Sequence, residues 1–206
     1  MSSRDQILER IRSNRPQLER PLPDIPLFDD PPKLSLFAAF RASLERMGGL
    51  ILELGDALAP IRAKFAEAKV ICSTVPEIKG NRDIAQVRQP KDLADVDFAI
   101  VRASFAVAET GSILLTNDNL HVNAVAYLAQ HLIVLLDPAD IVVNLHHAYR
   151  RREFHDHHYA CFHSGPSATA DIEGVLIHGA QGVRSLTVVP VAQVTGVSNW
   201  IRRPCS

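Results

Sequence analysis

The chain has little cysteine: Cys72, Cys161 and Cys205 are its three in 206 residues, and no CxxC pair occurs. An odd, scattered set signals neither a disulfide framework nor an iron–sulfur or structural zinc site, so reduced thiols in a cytosol are expected. Long apolar runs are also missing; none approaches the roughly twenty residues that span a bilayer. The opening MSSRDQILERIRSNRP is charged throughout and has no apolar signal core. The expectation is a soluble, cytoplasmic protein with no membrane span. Charge of one sign is absent too. Net charge is -1 and the sequence pI about 6.7, which leaves no basic field to recruit nucleic acid or an anionic membrane. No GxxxxGK[ST] phosphate loop, internal repeat or low-complexity tract is present.

What remains is ordinary globular composition, 47% hydrophobic and 22% charged. Residues 1–20 read as a helical arm, with Ile7, Leu8, Ile11 and Leu18 at helical spacing. Residues 21–33, PLPDIPLFDDPPK, form a proline-rich linker or surface strap, because such a segment is extended and semi-rigid. Residues 34–206 form the compact domain. Leu36, Phe37, Phe40, Leu44 and Met47 predict one helical face that stops at Gly48-Gly49. Strands are expected at LILEL, KVICST, DFAIVRA, FAVAE, SILLT, LIVLL and SLTVVPV, and helices at DALAPIRAKFAEA and around 121–130 and 138–152. Strands alternating with helices, several apolar without alternation, predict an α/β fold with an open, mainly parallel sheet covered by helices on both faces. FAVAETGSILLT differs: two short strands meeting at Gly111 read as a hairpin or bulged strand.

Four stretches carry candidate chemistry. Glu109, with Thr110 and Gly111 at the break between apolar runs, suits a nucleophile or general base at a strand end; a solvated turn glutamate is the plainer alternative. GPSATADIEG reads as a turn delivering a helix. Gly165 and Pro166 set the turn, Ser167 or Thr169 caps the helix, and Asp171 and Glu173 face its positive end. The same amides and hydroxyls would hold a carboxylate rather than a triphosphate. IHGAQGVR offers His178 as an acid–base group, the glycines Gly179 and Gly182, and Arg184 as an anion holder. Six histidines crowd 146–163, but their spacing fits no single face, so no metal is assigned there and a wet, basic, partly disordered connection is expected. His131 reads as a helix C-terminal cap.

FAVAETGSILL, HLIVLL, GPSATADIEGVLIHGAQGVRSLTVV and the opening SSRDQILERIR together resemble the LUD-domain family, and within it the lactate-utilization protein C group. The resemblance implies a fold like that of class I CoA transferases, ribose-5-phosphate isomerase and glucosamine-6-phosphate deaminase. It also implies a non-redox subunit of a three-protein system that oxidises L-lactate to pyruvate, with iron–sulfur clusters carried by the partner proteins and no cofactor in this chain. A homo-oligomer is compatible with it. Many relatives place a basic residue and a Leu-Pro step where this chain reads NDNLHVNAVAYLAQHLIVLL. A cation for an anionic ligand must then come from elsewhere, or the ligand differs. Ala108-Glu109-Thr110-Gly111 is also similar to the turn that carries the acyl-accepting glutamate of class I CoA transferases. The alternatives are therefore an acyl-transferring or hydrolytic enzyme using Glu109, and a ligand-sensing module. The expected pocket gathers Glu109, Thr110 and Gly111, then Gly165, Ser167, Thr169 and Asp171, and finally His178, Gly179, Gly182 and Arg184, above the carboxyl rim of the sheet.

Overall fold

A computed structural model describes residues 2–16, 21, 23–28, 34–52, 68–171, 174–179 and 181–191. The helix expected at 56–68 lies almost wholly outside them. Helix α1 (Ser3–Ser13) is closed by a capping box, in which the Ser2 hydroxyl accepts the Asp5 amide and the Asp5 carboxylate accepts the Ser2 amide. It buries no residue. Helix α2 (Leu36–Arg46) starts at Ser35, whose hydroxyl accepts the Ala38 amide at 3.2 Å, and buries Phe40, Ser43 and Leu44 at i, i+3, i+4 spacing. Met47, expected on that face, is exposed because it lies past the last helical turn.

Strands β1 (Leu50–Ile51), β2 (Ile71–Ser73), β3 (Phe98–Arg102), β6 (His131–Leu136) and β11 (Ser185–Pro190) form a parallel sheet in the order β1-β11-β6-β3-β2. Its middle strands are apolar without alternation because both faces are covered. The β2–β3 edge is pinned by Asp97, whose carboxylate accepts the amides of Lys69 and Val70 at 2.7 and 2.9 Å. Those two donors, Val70 first, hold its pKa below the usual aspartate value.

A second sheet packs against the first. Strands β4 (Phe105–Val107) and β5 (Ser112–Thr116) make the expected hairpin, flanked by β7 (Ile141–Val142) and β8 (Ala160–His163) in the order β7-β4-β5-β8. Here the period of two is clean. Ala106, Ile113 and Leu115 join the main core with Val101, Val134 and Leu186, whereas Phe105, Val107 and Leu114 face outward beneath Ala148, Leu145 and Phe154. Those last three residues belong to the short helices α5 (Leu145–Ala148) and α6 (Arg152–His155); α3 (Asn117–Leu120) and α4 (Val125–Leu128) line the main core. The α/β class with a mainly parallel sheet is as expected, but one face is covered by a second, mixed sheet, antiparallel except for its β4–β7 pair, as well as by helices.

Two local expectations change. The helix expected around 138–152 contains strand β7, because the Ile141–Val142 backbone pairs with Ala106 and Val107. His131 caps no helix; it opens β6, and its Nδ1 shares a hydrogen bond with the Ser185 hydroxyl at 2.8 Å. No helix among the described residues is long and apolar enough to cross a membrane.

Candidate functional site

Glu109 sits in the β4–β5 turn, and its main chain is fixed from two sides. Its amide donates to Val143 O at 3.0 Å, extending the β4–β7 pairing, and its carbonyl accepts the Ser43 hydroxyl of α2 at 3.1 Å. The turn is closed by the Gly111 amide donating to Val107 O. Only a glycine fits there, since a Cβ would lie 2.3 Å from the Leu44 amide nitrogen and φ is +68°. The carboxylate itself is exposed and accepts one amide, that of Leu145, at 3.3 Å. It therefore keeps most of its acceptor capacity for something else.

That carboxylate lines a cavity of about 370 Å³ together with Ser43, Arg46, Val143 and Asn144, while Phe28, Leu34, Ala39 and Ala42 supply apolar wall. Arg46 anchors one guanidinium nitrogen on the Ser43 hydroxyl at 2.9 Å. A carboxylate and a guanidinium thus share one small, half-apolar space, and among the described residues no ion pair joins them. The 117–136 interval has no lysine or arginine, whereas α2 brings an arginine to this cavity. Arg46 carries no signal in the sequence because it lies on the polar side of an amphipathic helix, where any arginine looks like solvated surface. Asn144 gave no signal either. Its side chain is buried, and its Oδ1 caps α5 by accepting the His147 amide.

The other expected site residues gather elsewhere. Gly165, at φ +80°, lets the chain pass α2 so closely that a Cβ would stand 2.1 Å from Met47 O. The helix expected after it is a two-stranded ribbon over the described residues, β9 (Ala168–Thr169) against β10 (Ile177–His178). Ser167 and Thr169 do not cap a helix. The Ser167 hydroxyl donates to Gln181 O, the Ser167 carbonyl accepts the Gly179 amide, and the Thr169 hydroxyl bonds the Asp171 carboxylate at 2.9 Å. Gly182 leaves room for the Ser167 side chain, Gly179 for Arg184, and Gly48 for the His178 ring. Glu173 lies outside the described residues.

This group meets the amino edge of the parallel sheet, not its carboxyl rim. The Ser167 amide donates to Val183 O just before β11, the Arg184 amide to Gln130 O just before β6, and His178 touches Gly48 just before β1. The expected placement fails because the ribbon is tied to the segments that enter the strands. Glu109 and Ser167 do not share the Glu109 cavity. A chain of hydroxyls nonetheless connects the two turns: Thr110 bonds Ser112 at 2.7 Å, and Ser112 bonds Ser164 at 2.5 Å.

The histidines disperse. His146 meets the Phe28 ring at a tilt, His155 bonds Tyr149 O, His157 faces Asp118, and His163 packs against the Tyr127 ring. Rather than a loose connection, 146–163 forms α5, α6 and β8. Burial drives the His163 pKa down to about 4, and its Nε2 is buried without a hydrogen-bond partner among the described residues. The Tyr127 and Tyr159 hydroxyls share a hydrogen bond, and burial first, then Cys161, raises the Tyr127 pKa.

A comparison with curated proteins gives no match. A crystal structure of a DUF162 family protein from Deinococcus radiodurans is similar at a TM-score of 0.52 and 15% identity, covering 76% of this chain and 96% of that one. At that identity the likeness speaks for the fold alone. The LUD domain matches residues 58–191, more than half of the sequence, and spans the Glu109 turn, the Gly165 turn and β11. The chain therefore belongs to the LUD domain family.

Proposed function

We propose that this protein is a cytoplasmic lactate-utilization protein of the C group, a non-redox subunit of an iron–sulfur complex that oxidises L-lactate to pyruvate. Its Glu109 cavity would bind a small carboxylate or a carboxylate-bearing ligand. Membership of the LUD family supports the first part, and three scattered cysteines agree with clusters carried by partner proteins. The single observation that carries the second part is Arg46 beside Glu109 in one cavity. A ligand carboxylate pairs with the guanidinium, a charge-assisted contact worth about 1.5–3 kcal/mol. The ligand's other end then meets Glu109, which accepts a hydrogen bond or a proton, while the apolar wall covers its carbon skeleton.

Calorimetric titration with sodium L-lactate, sodium pyruvate and acetyl-CoA tests the pocket. Binding of at least one of them should weaken about tenfold or more in Arg46→Gln, and Arg46→Lys should restore part of it. If all three fail to bind, or bind Arg46→Gln equally well, the pocket assignment fails. Affinity capture of the tagged chain should bring down iron–sulfur proteins absorbing near the visible cluster bands; colourless eluates under anaerobic conditions would remove the subunit role.

A second reading rests on the Glu109 carboxylate accepting a single amide, that of Leu145, among the described residues. An under-bonded carboxylate is a competent nucleophile toward a thioester: a carboxylate oxygen bonds the acyl carbon, the carbon–sulfur bond breaks, and CoA leaves as thiolate. Acetyl-CoA followed by hydroxylamine and mass spectrometry should then mark Glu109, and an unmarked peptide discards this chemistry. Binding without turnover would instead favour a sensing module.

A further inference from the structure

The Glu109 cavity has a wall that comes from outside the compact domain. The proline-rich segment Pro23–Phe28 runs back over the α5 region, and Phe28 closes one side of the space that Glu109 and Arg46 share. Among the described residues its hold is mainly polar and sparse. The buried Asn144 side chain donates to Leu27 O at 2.7 Å and to Phe28 O at 3.2 Å, and the Arg150 guanidinium donates to Ile25 O at 3.1 Å. No side chain of the segment is buried, and the Phe28 ring rests on the His146 ring with centroids 4.8 Å apart while remaining 59% exposed. Phe28 also adopts φ +53°, a left-handed conformation that a bulky residue keeps only where its surroundings impose it.

Asn144 is the hinge between this segment and the carboxylate. Its Oδ1 caps α5, its Nδ2 grips the strap, and the next residue, Leu145, gives its amide to Glu109. Both donors and the carbonyl oxygen of this buried amide are therefore engaged, two of its three bonds on the strap. A strap secured by a few hydrogen bonds and no buried apolar side chain detaches at low cost, while its proline content limits the chain entropy gained on release.

We propose that residues 23–28 form a detachable roof on the Glu109 cavity, latched by Asn144, and that Phe28 and Asn144 are the residues that determine which molecules reach the carboxylate. The roof deepens the carboxylate-pocket reading and rests on it for its purpose, but its geometry can be tested with no ligand.

The measurement is the rate at which the Glu109 carboxylate of the full chain couples to glycine ethyl ester with water-soluble carbodiimides of two sizes, read by peptide mass spectrometry. Exposed Glu45, on α2 but outside the cavity, serves as the internal standard. Phe28→Ala and Asn144→Ala should each accelerate labelling of Glu109 several-fold relative to Glu45, and the bulkier carbodiimide should gain most. Should Asn144→Ala fail to fold for want of its helix cap, Phe28→Ala at an exposed position decides alone. Equal Glu109 rates in wild type and Phe28→Ala with both reagents overturn the roof, whatever the calorimetry gives. Conversely, accelerated labelling with no Arg46-dependent carboxylate binding keeps the roof and removes the ligand class.

Discussion

A methyl group at position 111 would stand 2.3 Å from the Leu44 amide nitrogen, on a backbone with φ +68°. Neither problem has a local escape, because the obstacle is the backbone of α2. Gly111→Ala should therefore cost at least about 3 kcal/mol in urea unfolding, the sum of a left-handed alanine and a displaced helix. Gly174→Ala is the matched control: φ is +70° but no described residue lies within 4 Å of the added carbon, so its cost should stay near 1 kcal/mol, about that of a left-handed alanine. Equal losses would mean that contact with α2 contributes nothing. His163 acts through protons instead. Its folded pKa is about 4, below an unfolded value of about 6.5. Between those values the unfolded chain binds a proton that the folded chain refuses. Stability is complete above about pH 6.5 and falls as the pH drops toward 4. Urea unfolding at pH 7 and pH 4 should show wild type losing roughly 3 kcal/mol more than His163→Phe; parallel losses would show that His163 is not desolvated.

Among elements, those buried on both sides were the legible ones. DFAIVRA, LIVLL and SLTVVPV announce β3, β6 and β11 because a parallel strand covered on both faces needs no polar alternation, and the hairpin at Gly111 followed from two runs meeting at a turn former. Strand β7 and the β9–β10 ribbon did not announce themselves. Each is two residues long and is defined only by its partner, for β7 a strand some 35 residues earlier and for β9 and β10 each other across a short interval. The site divides the same way. Glu109 was visible as a carboxylate breaking apolar runs, whereas Arg46 and Asn144 matter only through the cavity they border. Even the choice of sheet edge for the Gly165 turn depends on bonds to Val183 and Gln130 that no local pattern encodes. The second sheet's outer layer offers a test of the element that sequence left vague. Fully buried Phe105 meets the edge of Phe162 and the Arg151 guanidinium, the latter 5.1 Å away, beneath α6. Phe105→Ala should cost about 3–5 kcal/mol and raise protease sensitivity first at 150–156. Cleavage that begins instead in α2 would show that the outer layer does not depend on this ring.

At the scale of the molecule, the two sheets share one core. Ala106, Ile113 and Leu115 of the second sheet pack in the same cluster as Ala99, Val134 and Val188 of the first, with Phe40 and Leu44 of α2 wedged among them. Neither sheet can lose its inner face without exposing the other's, so they should unfold together: far-UV circular dichroism and tyrosine fluorescence should trace one urea transition. Helix α1 stands outside this arrangement. It buries no residue, leaves Ile7 and Ile11 56% and 62% exposed, and has eleven residues, fewer than the roughly 12–15 at which even a favourable isolated helix becomes marginal in water. Its capping box and terminal charges give it local order and no share in the core. A variant lacking residues 1–16 should therefore melt within about 2 °C of the full chain in calorimetry, and the α1 amides should exchange fastest among the helices. A fall of more than about 4 °C, on the order of 1 kcal/mol for a protein of this size, would mean that Ile7 and Ile11 are covered in solution, by this chain or by a second copy of it.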